Sequence, residues 1–256
     1  MSRIGEQIYG LIGYPLIHSF SKTFFNQKFE AEQIKARYVN FEIPSINNFP
    51  DVLNENPLLA GMNVTIPYKE QVIPFLDDLD PLAARAGAVN VIKIIPGKKG
   101  KVLPDCRLVG YNSDVAGFTD SIRPLITDGR DKALVLGSGG ASKAVCVGLD
   151  MLGVQAQIVS RTKRRGTLTY DELTPEIMAE HKVIVNTTPL GMYPHMDEAP
   201  SIPYESLTPA HLCYDLLYNP DVTLFMKKAS EHGAEVKNGL EMLLLQAFLS
   251  WEIWNS

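Results

Sequence analysis

The chain has 256 residues, 45% of them hydrophobic and 21% charged, with a net charge of −5 from 24 basic and 29 acidic side chains. That is enough material for one or two domains with a full hydrophobic core, so neither a metal nor disulfides are needed to stabilise it. The acidic balance argues against nucleic acid or an anionic membrane as the main partner, though it does not exclude a small anionic substrate held by a few local donors.

Cys106, Cys146 and Cys213 are odd in number and far apart, which suits reduced thiols rather than a disulfide framework or a zinc knuckle. The five histidines form no HExxH-like pair, so no metal site is expected. The apolar run 8–12 is too short for a signal-peptide core or a membrane span, and a cytoplasmic protein is expected.

In chain order, Ile8–Ile12 predicts a short buried strand. Phe20–Ile34 predicts a helix, with Phe24, Phe25 and Phe29 at helical spacing. Tyr38–Ile43 and Met62–Ile66 predict two more strands, and Val89–Ile95 and Lys101–Tyr111 a hairpin turning at Pro96–Gly100. Residues 114–126 predict a connecting helix. The texture then changes: Ala133–Leu136 is an apolar strand ending in Gly137-Ser138-Gly139-Gly140, followed by a helix to about Leu152 and strands at Gln157–Val159 and Val183–Asn186. Strands alternating with helices predict a doubly wound parallel sheet in the second half. In the last helix, Leu240, Leu243, Leu244, Ala247, Phe248 and Trp251 form the expected buried stripe. Gln246 falls away from the face of Glu241 and Glu252, at the stripe's edge or toward a cleft.

Gly137-x-Gly139 between a strand and a helix is the context of a dinucleotide site. The first glycine permits a tight turn, and the second lets backbone N–H groups approach a pyrophosphate at the helix N-terminus. Gly140 and Ala141 continue the loop. Ser142 stands where the full fingerprint has its third glycine. The next strand ends in Ser160-Arg161-Thr162-Lys163-Arg164-Arg165. No acid is present there to hold ribose hydroxyls. Cations and hydroxyls instead suit the extra 2′-phosphate of NADP, which Arg161 can grip with its planar fork.

Four polar patches remain. Ser19 and Ser21 lie at a helix start, where capping accounts for one and carboxylate binding for either. Asn63, Thr65 and Lys69 share the segment Gly61–Lys69, where strand alternation puts Asn63 and Thr65 on the same side and Lys69 follows just beyond, at a turn into a helix. Asn90 opens a strand in Gly87–Asn90. Asp114, in Gly110–Phe118, puts a carboxylate where strand meets helix, as a plain cap or a functional acid.

With Asn186–Met192, Tyr214–Pro220 and Asn238–Gln246, these segments in this order closely resemble the shikimate dehydrogenase family over essentially the whole chain. The resemblance implies an α/β protein of two domains around a cleft. An N-terminal substrate domain would span 1–113, completed by a C-terminal helix 238–256, and a Rossmann-like doubly wound NADP-binding domain would span 114–237. It implies NADPH-dependent, reversible reduction of 3-dehydroshikimate to shikimate. Lys69 and Asp114 would be the catalytic pair, Ser19 and Ser21 would hold the carboxylate, and Asn63, Thr65, Asn90, Tyr218 and Gln246 would surround the ring. Gly137, Gly139, Gly140, Ala141, Ser160, Arg161, Thr162 and Arg164 would bind the cofactor, with Thr187 and Gly239 on its nicotinamide side. A monomer or homodimer is expected. Where the family usually has proline and then histidine, this chain has Lys22 and Phe25; Ser113 replaces threonine and Ser160 a frequent asparagine. Two alternatives stand beside this reading: a member of the family that also, or mainly, oxidises quinate, and a silent NADP(H)-binding sensor, against which the intact Lys69 and Asp114 argue.

Overall fold

The computed structural model describes residues 5–16, 19–97 and 106–256. His18 in the serine segment, and most of the turn expected between the two hairpin strands, lie outside the described residues. The chain divides into two compact units: residues up to Ser113 together with Ala247–Ser256, and Asp114–Gln246. Among the described residues no helix is long and apolar enough to cross a membrane.

The first unit runs β1 (Gln7–Gly13), α1 (Phe20–Ala31), β2 (Ala36–Glu42), α2 (Phe49–Glu55), β3 (Leu59–Val64), β4 (Asp78–Leu79), α3 (Pro81–Ala86), β5 (Val91–Ile95) and β6 (Arg107–Tyr111). Its sheet has the order β2-β1-β3-β5-β6-β4, with β5 antiparallel to both β3 and β6. Side chains alternate across a strand. Ile8 and Ile12 therefore join one core layer with Phe49, Leu59, Met62 and Ile92, while Tyr9 and Leu11 join the other with Phe25, Phe29, Tyr38 and Trp254. Phe25, in the place of the family's usual histidine, is fully buried and stacks on Tyr38 with ring centroids 5.0 Å apart.

The second unit runs α4 (Ser113–Ile122, whose first residue belongs to the first unit), β7 (Lys132–Leu136), α5 (Gly140–Met151), β8 (Gln155–Val159), β9 (Thr167–Leu168), α6 (Pro175–Glu180), β10 (Val183–Asn186), β11 (Leu212–Asp215), α7 (Leu224–Glu231), β12 (Glu235–Lys237) and the start of α8 (Leu240–Asn255). All six strands are parallel, in the order β12-β11-β10-β7-β8-β9. This is the strand order of the dinucleotide-binding fold, in which the chain reverses direction across the sheet between its first and fourth strands. Both faces are covered, so β7, β10 and β11 read as nearly continuous apolar runs.

Three expectations are corrected. The third strand ends at Val64 rather than Ile66, so Thr65 lies past it and Ile66 is exposed; the strand alternation linking Asn63 to Thr65 does not extend that far. Lys69 leads through a turn into a short 3-10 segment, Ile73–Phe75, not an α-helix. On α8 the buried residues are Met242, Ala247, Ser250 and Trp254, whereas Leu240 is 42% and Phe248 49% exposed. This helix is apolar nearly all round, so spacing alone does not select one face.

Candidate active site

In the first unit, Ser19 is the N-cap of α1, and its Oγ accepts the Lys22 N–H at 3.1 Å. Its own O–H proton is not consumed by that contact. Capping and ligand binding are therefore compatible at this residue. Ser21 hydrogen-bonds the fully buried Tyr38 hydroxyl, whose pKa burial raises well above the ordinary phenol range. Tyr38 stays neutral and donates onward to Asn63 Oδ1 at 2.7 Å.

Asn63 and Asn90 are buried, and their surroundings fix which end of each amide points where. Asn63 Nδ2 faces the Asn90 carbonyl at 3.3 Å, and a carbonyl can only accept. Its other N–H goes to Ser250 Oγ at 3.0 Å, leaving Asn63 with spare capacity only as an acceptor, on Oδ1. Asn90 Oδ1 accepts the Ser113 backbone N–H at 2.7 Å, and a backbone N–H can only donate. Asn90 Nδ2 donates to Ser113 Oγ at 3.0 Å, which leaves one N–H to offer. Ser113 and Ser250 close the cluster, with Oγ atoms 3.4 Å apart. A fixed acceptor beside a fixed donor is what recognition of a hydroxyl requires.

Lys69 is half-buried in the turn after β3. Its backbone is pinned from both sides: the Val89 N–H donates to the Lys69 carbonyl at 2.7 Å, and the buried Tyr68 donates its hydroxyl to the Ile43 carbonyl at 2.6 Å. Thr65 follows β3, with its N–H on the Ile12 carbonyl at 2.9 Å.

In the second unit, Asp114 is buried and lies inside the first turn of α4 rather than at its cap, where the helix dipole favours a negative charge. Gly137 has φ +116°, and a Cβ there would sit 2.5 Å from Thr187 Oγ, so only glycine fits. Thr187 in turn donates its hydroxyl to the Leu136 carbonyl at 2.7 Å. The glycine turn and Thr187 are thus packed together at the carboxyl ends of β7 and β10, where the strand order reverses. Gly139 caps α5, and a Cβ on it would meet no atom within 4 Å. That space, with the backbone N–H groups of Gly140 and Ala141 at the helix start, fits a pyrophosphate.

Beyond β8, Ser160 is buried and donates to the Thr162 carbonyl at 2.5 Å, shaping the loop. Arg161 and Arg164 are exposed on it. Lys163 is committed elsewhere, to both oxygens of Glu172 at 2.5 and 2.6 Å.

Tyr218 follows β11 and is 38% exposed; partial burial raises its pKa, so it too is a neutral hydroxyl. Gly239 packs on the same segment: its N–H donates to the Leu217 carbonyl at 2.9 Å, and a Cβ would lie 2.0 Å from the Leu216 carbonyl oxygen. Gln246 is half-buried and donates Nε2 to the Leu243 carbonyl at 2.9 Å. Among the described residues, no three His, Cys, Asp or Glu side chains are grouped to hold a metal. Burial pushes the thiols of Cys146 and Cys213 up to about 11 and about 12, so neither is a nucleophile at neutral pH.

Sequence reasoning missed Tyr38, Ser250 and Asp215 as individual residues. Ser250 had a weak signal, as the one hydroxyl among Ala247–Ile253 in an apolar helix. Asp215 had another, as an acid closing an apolar strand.

A model of the shikimate dehydrogenase substrate binding domain matches residues 11–92. The shikimate dehydrogenase (NADP(+)) of Desulforamulus reducens is 37% identical over 272 residues, covering 97% of this chain and 89% of that one. The chain belongs to the shikimate dehydrogenase family. Solved members agree in three dimensions. Shikimate dehydrogenase from Aquifex aeolicus superposes with a TM-score of 0.83 at 34% identity, covering 100% of this chain and 94% of that one. The Thermus thermophilus enzyme, solved in complex with NADP(H) and shikimate, gives 0.81 at 29% identity, covering 97% and 93%.

Membership of this family gives the Ser19 geometry a testable consequence. If Ser19 holds a substrate carboxylate, Ser19→Ala is expected to raise the KM for shikimate while changing kcat little, because such a contact is remote from the reacting carbon. The same variant loses the α1 cap and is expected to be about 1 kcal/mol less stable. A fall in kcat at unchanged KM would contradict the carboxylate role.

Proposed function

We propose that the protein is an NADP-dependent shikimate dehydrogenase, reversibly reducing the ketone of 3-dehydroshikimate to the hydroxyl of shikimate in aromatic amino-acid biosynthesis. Family membership supplies the reaction class. The observation that carries the substrate is the amide pair Asn63 and Asn90, fixed so that one accepts and the other donates.

Bound NADPH supplies the hydride. The rest is the work of this chain's side chains. The ammonium of Lys69 stabilises the negative charge that grows on the ketone oxygen and delivers the proton to it. Asp114 is the carboxylate member of the catalytic pair. Ser19 and Ser21 hold the carboxylate by charge-assisted hydrogen bonds. Asn63 accepts from a ring hydroxyl and Asn90 donates to one. Thr65, Tyr218 and Gln246 complete the surroundings of the ring.

The nucleotide is held by Gly137, Gly139, Gly140 and Ala141 at the pyrophosphate, and by Ser160, Arg161, Thr162 and Arg164 at the 2′-phosphate. Thr187 and Gly239 line the nicotinamide side. The functional division proposed is a substrate domain of 1–113 with the C-terminal helix 238–256, and an NADP domain of 114–237; the compact units themselves divide this helix after Gln246. The reaction belongs to the cytoplasm, where this cofactor and reduced thiols are found, and the acting species is a monomer or homodimer.

The test is shikimate-dependent NADPH formation followed by absorbance, with quinate and NAD+ in parallel. Turnover with shikimate and NADP+ well above the other three pairings is expected. No turnover with any acid would leave a silent nucleotide-binding protein, and faster turnover of quinate would make it a quinate dehydrogenase. Arg161→Ala separates the cofactor role: the KM for NADPH is expected to rise about 10- to 100-fold, the worth of a charge-assisted contact, with NADH use changed far less. Equal losses with both cofactors would remove the phosphate contact.

A further inference from the structure

Asp215 is a fully buried carboxylate that the proposed chemistry leaves without a role. It closes β11 directly opposite Asn186, the last residue of β10. In a parallel pair such partners project to the same side, and Asn186 Nδ2 donates to Asp215 Oδ1 at 3.1 Å. The same oxygen accepts the Leu217 backbone N–H at 3.1 Å, and Oδ2 accepts the Thr223 hydroxyl at 2.6 Å. No cation pairs with it among the described residues.

What these donors belong to gives the contact its meaning. Asn186 Oδ1 in turn accepts the backbone N–H of Thr188 at 3.0 Å and its hydroxyl at 2.7 Å, folding the segment that carries Thr187. Leu217 and Thr223 bracket the segment that carries Tyr218, and Thr223 also caps α7. One carboxylate therefore ties two strand-end loops to a common point, one on the proposed nicotinamide side and one on the proposed substrate side. An apolar residue there would leave three donors without their acceptor, two of them buried, which buried polar groups do not tolerate.

We propose that Asp215 is a positioning residue of this enzyme: it touches neither ligand, and it sets the placement of Thr187 through Asn186 and of Tyr218 through Leu217 and Thr223. This rests on the shikimate dehydrogenase reading above. The arrangement also makes the two ends of the tether separable. Thr223→Val removes the Thr223 hydrogen bond, the shorter of the two substrate-side contacts, and leaves the Asn186 and Leu217 contacts in place.

The experiment measures kcat and both Michaelis constants for wild type, Asp215→Ala, Asp215→Asn and Thr223→Val, each well below its own Tm. Asp215→Ala is expected to raise the KM for shikimate and the KM for NADP+ at least fivefold each. Asp215→Asn keeps an acceptor for Asn186 and Leu217, and is expected to restore both to within threefold of wild type. Thr223→Val is expected to raise the KM for shikimate at least threefold, with the KM for NADP+ within twofold. A merely structural residue would lower Tm without that split. An active wild type with a folded Asp215→Ala variant inside twofold on both constants overturns the proposal while leaving the shikimate reading intact. If Asp215→Ala does not fold, Thr223→Val decides: an unchanged KM for shikimate, or equal rises in both constants, overturns it. An inactive wild type sinks both readings together.

Discussion

Lys69→Ala is expected to lower kcat by about 10²–10⁴, the usual contribution of a positioned general acid, while the protein remains folded. Folding should survive because the backbone contacts that hold this turn do not use the Lys69 side chain. Its carbonyl holds the Val89 N–H, and the neighbouring Tyr68 is anchored on the Ile43 carbonyl; alanine keeps both contacts. The loss should fall on kcat and on kcat/KM alike, since charge on the ketone oxygen appears only as the hydride arrives. Steady-state kinetics with shikimate and NADP+, beside a circular-dichroism melt, measures both halves of the expectation. A variant within threefold of wild-type kcat would take Lys69 out of the mechanism. A variant that fails to melt cooperatively would show that the residue is needed for the fold instead.

The second large effect is on stability and has a defined pH window. Burial pushes the Asp215 carboxyl up from 3.8 to about 6, against the opposing pull of Thr223, the Leu217 N–H and Asn186. A carboxyl with a raised native pKa holds its proton longer in the folded state than in the unfolded one. Stability therefore falls as pH rises from about 4 to about 6, and the deficit is complete above that range. A shift of this size amounts to about 3 kcal/mol at pH 7. Asp215→Asn mimics the protonated form, so it is expected to be about 3 kcal/mol more stable than wild type at pH 7, and only about 1 kcal/mol more stable at pH 4.5. Urea unfolding at the two pH values reads the difference directly. A variant less stable than wild type at pH 7 would mean that the three hydrogen bonds to the charged form outweigh its desolvation. Stability surrendered at a working site is a common pattern, and the Asp215 tether would be one such site.

Much of the architecture could be read before any coordinates, because it depends on local rules. The alternation of apolar strands with helices after residue 130 predicts a doubly wound sheet, and the six parallel strands have that order. Gly137 and Gly139 carry their meaning in the chain itself: a strand, a turn that demands positive φ, and a helix start. The missing acid and the cations after β8 are likewise a local signal. Lys163 shows the limit of that signal. It belongs to the same basic run, yet Glu172, nine residues on, occupies it.

α8 was harder to read. With leucine, methionine, phenylalanine and tryptophan around most of its circumference, the expected stripe put Phe248 inward and ignored Ser250. The helix buries Ser250 because Asn63 and Ser113, more than a hundred residues earlier, bring polar partners to it. Asp215 is similar. From the sequence it is an acid after an apolar run; only the register of β11 against β10 places Asn186 beside it.

By itself, then, the sequence determined the fold class, the nucleotide turn and the identity of the polar residues, since each follows from spacing along one segment and from side-chain chemistry. Tertiary structure alone decided which way the Asn63 and Asn90 amides face, which side of α8 is buried, and what Asp215 holds. Those outcomes depend on donors and acceptors from distant segments meeting within about 3 Å, the length of a hydrogen bond, and no pattern within one segment records such a meeting.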